Sequence, residues 1–438
     1  MARPQVVITG LGAVSPLGLS AEAMWEGLTV GRCGIGPITR FDPVGLPCQI
    51  GGQVPEYRIQ DYLPKAHRKA AKLMSRDIEL AVIAGDRALR QSGLGTRGID
   101  AGPVTIDPVK TSINVGAGLI SCDLEELGPA VAASTADGQF DLRRWGENGM
   151  PLVTPLWLLK YLPNMLACHL SIIHDLQGPC NAITCGEVSG HLAIIEAKQT
   201  IERGDVDVSL AGGAEAKITP MVLLTQCLLK RTAPAGRDGS DTACRPFDAR
   251  ATGSIFGEGA GLVVLETADG ARNRGAKVLA EIAGTGHSCS LNPAYQSLEP
   301  DGRGIQIAMQ KALDEAGIGP KDLDLVVPHG TGIPQDDLAE ARGIEAILGP
   351  AVDSVPVWPT KGQLSNTGAA AGALDLIATV SAIRNGLIPG TQNGDPKAGG
   401  CRLRIATQAL TKTIRYALCC SYTFGGQTAA IVLKNAEF

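Results

Sequence analysis

Short apolar runs closing on glycine recur along the chain, and each reads as a buried strand. Gln5 to Thr9 runs into Gly10, and Gly259 to Glu266 is a second such run. Asp205 to Ala211 is predicted to be a strand with Gly212-Gly213 as its turn. Helical periods lie between them. Over 66–93, Leu73, Met74, Leu80, Ala81, Ala84 and Ala88 share one face, and Gly93 is a stop signal. The apolar stretch 151–174 predicts a helix broken near Pro155 and Pro163. Near Gly275 the pattern restarts, with a strand over 278–284, a helix over 305–316 and a strand over 323–327. An alanine-rich helix over 369–384 and a closing strand over 428–434 follow. The same strand–helix order met twice implies an internal duplication. The polar stretch 267–277 sets the boundary, giving halves 1–266 and 267–438.

Composition narrows the class. A chain of 438 residues with 44 % hydrophobic and 19 % charged positions is ordinary for a globular protein of two domains. Aromatics are only 4 % against 55 glycines, so the interior must be packed with Ala, Val, Ile and Leu, as in an α/β protein. A net charge of −5 without a basic block argues against a nucleic-acid partner. The start of the chain has a strand-like run and no leader-like helix, and no apolar run is long enough to span a membrane. The 12 cysteines include no C-x-x-C pair, which points to reduced thiols in a cytoplasmic protein and away from a metal centre. The early Gly10-Leu11-Gly12-Ala13-Val14-Ser15 has the outline of a dinucleotide-binding turn. Ser15 stands at the third glycine position and Pro16 follows at once, so it reads as a strand and turn, and no cofactor is expected.

Three segments gather glycine, small residues and one polar group. In the first, Ile183 to His191, Glu187 falls between a strand and the helix 192–203, where the helix's positive end favours an anion. In the second, Pro328-His329-Gly330-Thr331-Gly332, a strand ends on a histidine. In the third, Lys361 to Gly372, a small-residue loop carrying Asn366 feeds a helix.

Together with VITGLGAVSPLG at 7–18, GDVDVSLAGGAEA at 204–216, CRPFDARATGSIFGEGAGLVVLE at 244–266, HGTG at 329–332 and FGG at 424–426, these segments resemble the β-ketoacyl-acyl-carrier-protein synthase family from end to end. The resemblance implies a thiolase fold, with duplicated halves in a five-layer αβαβα arrangement. Active members resemble one another in using a cysteine and two histidines. The cysteine lies in T-A-C-x-S-G, 28 residues before the Glu of GGAE, and counting back 28 from Glu215 reaches Glu187, with Ser189-Gly190 in register. HGTG retains the first histidine as His329, while Asn366 takes the position of the second. The family's lysine is kept as Lys361, its acidic residue after HGTG falls on Glu340, and Phe424 matches its gating loop, where Thr423 replaces a glycine.

Condensation needs a soft nucleophile to hold an acyl thioester, and a carboxylate there could form only a labile anhydride. Decarboxylation of a malonyl thioester needs donors aimed at the enolate, where Asn366 offers one neutral donor and Glu187 repels the malonate carboxylate. The resemblance therefore implies a ketosynthase-like subunit of a type II polyketide or fatty-acid system. In that reading it is a chain length factor that pairs with an active ketosynthase paralogue, shapes its acyl tunnel and works with an acyl carrier protein. A homodimer, a malonyl-carrier decarboxylase, and a synthase using the displaced thiol of Cys185 are the alternatives. Three local expectations accompany this reading. Glu187 should hydrogen-bond to helix-start amides or to His329, with Glu187→Ala costing about 1–3 kcal/mol. Lys361 and Glu340 should form an ion pair. His191 should pack or cap.

Overall fold

The apolar runs pair edge to edge. The computed structural model describes residues 3–99, 102–236, 239, 242–290, 292 and 297–438. Its main sheet contains β1 (Val6–Val14), β2 (Thr111–Ala117), β3 (Cys180–Ile183), β4 (Val208–Ala216), β5 (Glu258–Thr267) and β6 (Ala280–Cys289). It continues with β7 (Leu325–Val327), β8 (Pro356–Val357), β9 (Arg404–Ile405), β10 (Tyr416–Tyr422) and β11 (Gln427–Lys434). The order is β9-β8-β7-β10-β11-β6-β1-β5-β4-β2-β3. In the first half β1–β5 and β5–β4 are antiparallel, while β4–β2 and β2–β3 are parallel. The second half repeats this sequence of pairings through β6–β11, β11–β10, β10–β7 and β7–β8. The halves join where Val7 of β1 faces Glu281 of β6.

Side-chain alternation along the strands makes the layers. Leu210, Leu262 and Val264 pack with α1 (Arg76–Ser92), whereas Ala211, Val263 and Leu265 pack with α3 (Ser189–Glu202) and α6 (Ala371–Asn385). In the second half Val326, Leu418 and Val432 pack with α4 (Arg303–Ala316) and α5 (Pro334–Leu348), while Leu325, Cys419 and Ile431 turn to the same central α3–α6 layer. The helix α2 (Met165–His174) lies beside α1 and β3. Every residue of α6 from Ala371 to Ile383 is buried, which is why that helix is rich in alanine and carries no amphipathic stripe. Helices outside, two sheet layers, and helices between them give the αβαβα thiolase arrangement.

Three local expectations are corrected. Gly212-Gly213 is not a turn, since β4 runs on to Ala216. The glycines are there for close approach. A Cβ on Gly213 would lie 2.2 Å from the Ala369 carbonyl oxygen, and one on Gly212 (φ +152°) would lie 1.9 Å from that of Gly261. Likewise β6 passes through Gly284 with an irregularity in its register, where a Cβ would meet the Ala312 oxygen at 2.1 Å. The stretch 151–174 is helical in α form only from Met165, after Pro163 has ended the preceding 3-10 turn Trp157–Tyr161. The polar stretch after β5 holds a short helix, Ala268–Asn273, whose N-terminus Thr267 caps. Among the described residues no helix is long and apolar enough to cross a membrane.

Candidate functional site

The loops that follow β3, β7 and β8 carry the residues singled out in the sequence. After β3 the chain turns at Gly186 (φ +59°) into a 3-10 turn, Gly186–Val188, that leads straight into α3. Glu187 sits in that turn, 3 % exposed, and lines a cavity of about 480 Å³. Its backbone carbonyl accepts a hydrogen bond from Ser421 Oγ at 3.3 Å. Its carboxylate accepts none among the described residues, from helix amides or from His329, which corrects the expected pairing. The cause is local. A capping side chain projects from an extended residue, and here Val188 (φ −84°, ψ −7°) already has helical geometry. Ser189 does the local bonding instead, accepting from the Cys185 N–H at 2.8 Å and donating to the Gly186 carbonyl at 2.7 Å.

The charge beside Glu187 is Lys217, which sequence reasoning missed. Burial lowers its affinity for a proton, but Glu215 and then Glu187 more than offset this and hold the ammonium above its ordinary pKa. Lys217 Nζ lies 2.8 Å from Glu215 Oε1, and Glu215 Oε2 accepts the Ala369 N–H at 2.7 Å. The signal was present in GGAEAK: two charges at the buried end of an apolar strand, two positions apart and so on one face.

His329 is buried, and its loop is held by a carboxylate clamp. Glu340 of α5 accepts the backbone N–H groups of His329 and Gly330, each at 2.7 Å. Burial pushes Glu340 up to about 8, against the pull of these bonds. Lys361 pairs with Asp375 of α6 at 2.8 Å rather than with Glu340, because the loop after β8 lays Lys361 along that helix. Burial, then the charge of Lys361, keeps the His329 imidazole neutral by depressing its pKa well below the usual range. Its ring packs edge-on to Tyr422 at 4.7 Å, and Nδ1 has no hydrogen-bond partner among the described residues. Asn366 is fully buried. Its Oδ1 accepts the Gly368 N–H at 3.1 Å while Nδ2 has no partner among the described residues. His191 is a packed, buried residue of α3. Phe424 stands at the cavity, its ring 4.5 Å from the Arg231 guanidinium, which is itself tied to Asp336 at 2.8 Å.

The end of β10 gathers two of these positions, since Ser421 meets Glu187 and Tyr422 meets His329. The turn carrying Glu187 also packs on Gly368–Ala370, just past Asn366. The cavity, however, is lined by Glu187, Lys217 and Phe424 and not by His329, Asn366, Lys361 or Glu340, which lie outside its wall. Cys185 does line it, but burial, and then Cys289, raise its thiol pKa, the reverse of what a nucleophilic thiolate requires. The cavity wall therefore offers a carboxylate and no imidazole among the described residues.

Comparison with known proteins covers almost the whole chain. The family model described as "Beta-ketoacyl synthase, N-terminal domain" matches residues 3–106 and 142–271, and "Beta-ketoacyl synthase, C-terminal domain" matches 279–395. The chain is similar to 3-oxoacyl-[acyl-carrier-protein] synthase 2 of Vibrio cholerae, 32 % identical over 99 % of this chain and 100 % of that protein. Among solved structures it is similar to the ishigamide ketosynthase/chain length factor, at 26 % identity and a TM-score of 0.83, with 99 % and 100 % of the two chains covered. A β-ketoacyl synthase from Burkholderia phymatum gives 26 % identity and a TM-score of 0.85 over the same shares.

Proposed function

The chain belongs to the β-ketoacyl synthase family, and from that membership we propose that it is a non-condensing, ketosynthase-like subunit of the chain length factor kind. It pairs with a cysteine-bearing ketosynthase, shapes that partner's acyl tunnel and serves a cytoplasmic system built on an acyl carrier protein. We divide it at 266/267 into its two ketosynthase-like halves. One observation carries the reading. At the nucleophile position stands Glu187, a buried carboxylate on the cavity wall, and the nearest thiol in sequence, that of Cys185, has a raised pKa. Acyl transfer to a carboxylate gives no thioester to condense. Glu187, His329 and Asn366 are in this account the remnant of the catalytic trio, with Lys361, Glu340 and Phe424 as the frame around it.

The pairing surface is proposed at the outer edge of the sheet. There β3 has no neighbouring strand on one side among the described residues, Cys180 and Asn181 are exposed, and Ile172 on the adjacent α2 is 63 % exposed. A bare edge strand flanked by apolar side chains invites a second sheet. Co-expression with a cysteine-bearing ketosynthase, followed by size-exclusion chromatography and a condensation assay with acyl and malonyl carrier proteins, tests the proposal. A heterodimer that condenses, where this chain alone does not, supports it. A lone homodimer that condenses at the rate of the mixture refutes it.

A second reading has one observation in its favour: Asn366 Nδ2 is a buried donor without a hydrogen-bond partner among the described residues, the type of group that stabilises an enolate. It makes the chain a malonyl-carrier decarboxylase. Glu187→Ala separates the two, since it abolishes turnover in a decarboxylase that uses Glu187 and leaves partner-dependent condensation intact in a subunit.

A further inference from the structure

The cavity at Glu187 is unequal in its hydrogen-bonding groups. The Lys217 ammonium on its wall is engaged by Glu215 at 2.8 Å, and Glu215 spends its other oxygen on the Ala369 N–H at 2.7 Å. Two acceptors on the wall are left without partners among the described residues. One is the Glu187 carboxylate, to which no hydrogen bond is made, and the other is the buried Gln226 Oε1. Among the described residues of its wall, two carboxylates against one ammonium leave one negative charge in excess. The remaining wall is apolar where Leu119, Pro163 and Phe424 contribute. A cavity carboxylate with no hydrogen-bond donor of its own gains a charge-assisted hydrogen bond from a ligand that brings a cationic donor.

We propose that this cavity binds a small organic ammonium compound, a primary amine in its charged form on a short apolar body, with its head on Glu187 and Gln226. A volume of about 480 Å³ suits a compound of that size. The same charge turns away carboxylates, including the malonyl group that a condensing enzyme would admit. The inference rests on the subunit reading only in that no acyl group occupies position 187.

The test is calorimetric titration of the full chain at neutral pH with hexylammonium, hexanol and hexanoate, three probes sharing one apolar body. Hexylammonium binds saturably at one site, more tightly than hexanol by about tenfold or more, and hexanoate does not bind. Glu187→Gln, which keeps the shape, removes that preference and brings the amine down to the level of the alcohol. Lys217→Met, which removes the competing cation, strengthens amine binding. Equal binding of amine and alcohol by the unaltered chain overturns the proposal without recourse to any variant, as does binding of hexanoate. None of these outcomes bears on whether the chain accepts an acyl group, so the subunit reading stands or falls separately.

Discussion

Glu187 and Lys361 are both charged and both buried, and they differ in what pairs with them. Lys361 has Asp375 at 2.8 Å, whereas the Glu187 carboxylate has no hydrogen bond among the described residues and only the neighbourhood of an ammonium already engaged. Breaking a buried ion pair strands the other charge, so Asp375→Ala should destabilise the chain by about 3–5 kcal/mol in urea unfolding. Removing Glu187 strands nothing, so Glu187→Gln should leave stability within about 1 kcal/mol of the parent and on the favourable side. A loss of the size expected for Asp375→Ala would mean that Glu187 has a partner after all. Glu187→Cys should not restore condensation, because the residues of such a site act as a unit, Asn366 still lacks an imidazole, and His329 stays outside the cavity wall. Condensation at the rate of an intact ketosynthase would show that Asn366 suffices. The positions of Glu187, His329 and Asn366 were legible because motif spacing carries them. Their partners were not. Nothing local says that Lys361 meets a residue on the next helix, or that the turn at 186–188 denies Glu187 the amides of α3.

At the scale of elements, strands announced themselves by apolar runs and helices by their period, and the sequence misled where glycine serves packing rather than turning. In β4 the pair Gly212-Gly213 lets the strand pass the Gly261 and Ala369 carbonyls, a contact made far along the chain and so invisible in a local window. The first turn of α1 hides another long-range effect. Asp77 accepts the Ala216 N–H at 2.9 Å from β4, and burial, assisted by the nearby charge of Glu215, pushes its pKa from the ordinary 3.8 up to about 7. Between those values the folded chain keeps a proton that the unfolded chain has released, so this group's contribution falls as pH rises, by up to about 1.4 kcal/mol per unit. Asp77→Asn keeps the acceptor and removes the titration. Chemical unfolding across pH should therefore find Asp77→Asn more stable than the parent above pH 7, with the difference vanishing toward pH 4. A difference that does not change with pH would contradict this.

For the whole molecule, the repeated order of pairing puts the loops after β3 and β8 at corresponding ends of the two halves, and one α3–α6 layer serves both halves. That duplication was readable because the strand–helix order restarts. The sheet's bare edge at β3 was not, because edge and centre strands share the same apolar signature. The account's central claim is that such a frame has been kept while its nucleophile has not. Intact-protein mass spectrometry tests this most directly. The chain and a cysteine-bearing ketosynthase partner are incubated together with an acyl-carrier thioester, and the mass of each polypeptide is read. The account predicts an acyl increment on the partner and none on this chain, alone or in the mixture, because position 187 offers a carboxylate and the raised pKa of Cys185 leaves its thiol protonated. A stable acyl increment on this chain, mapped to Cys185 or to any other residue of the cavity, would contradict it.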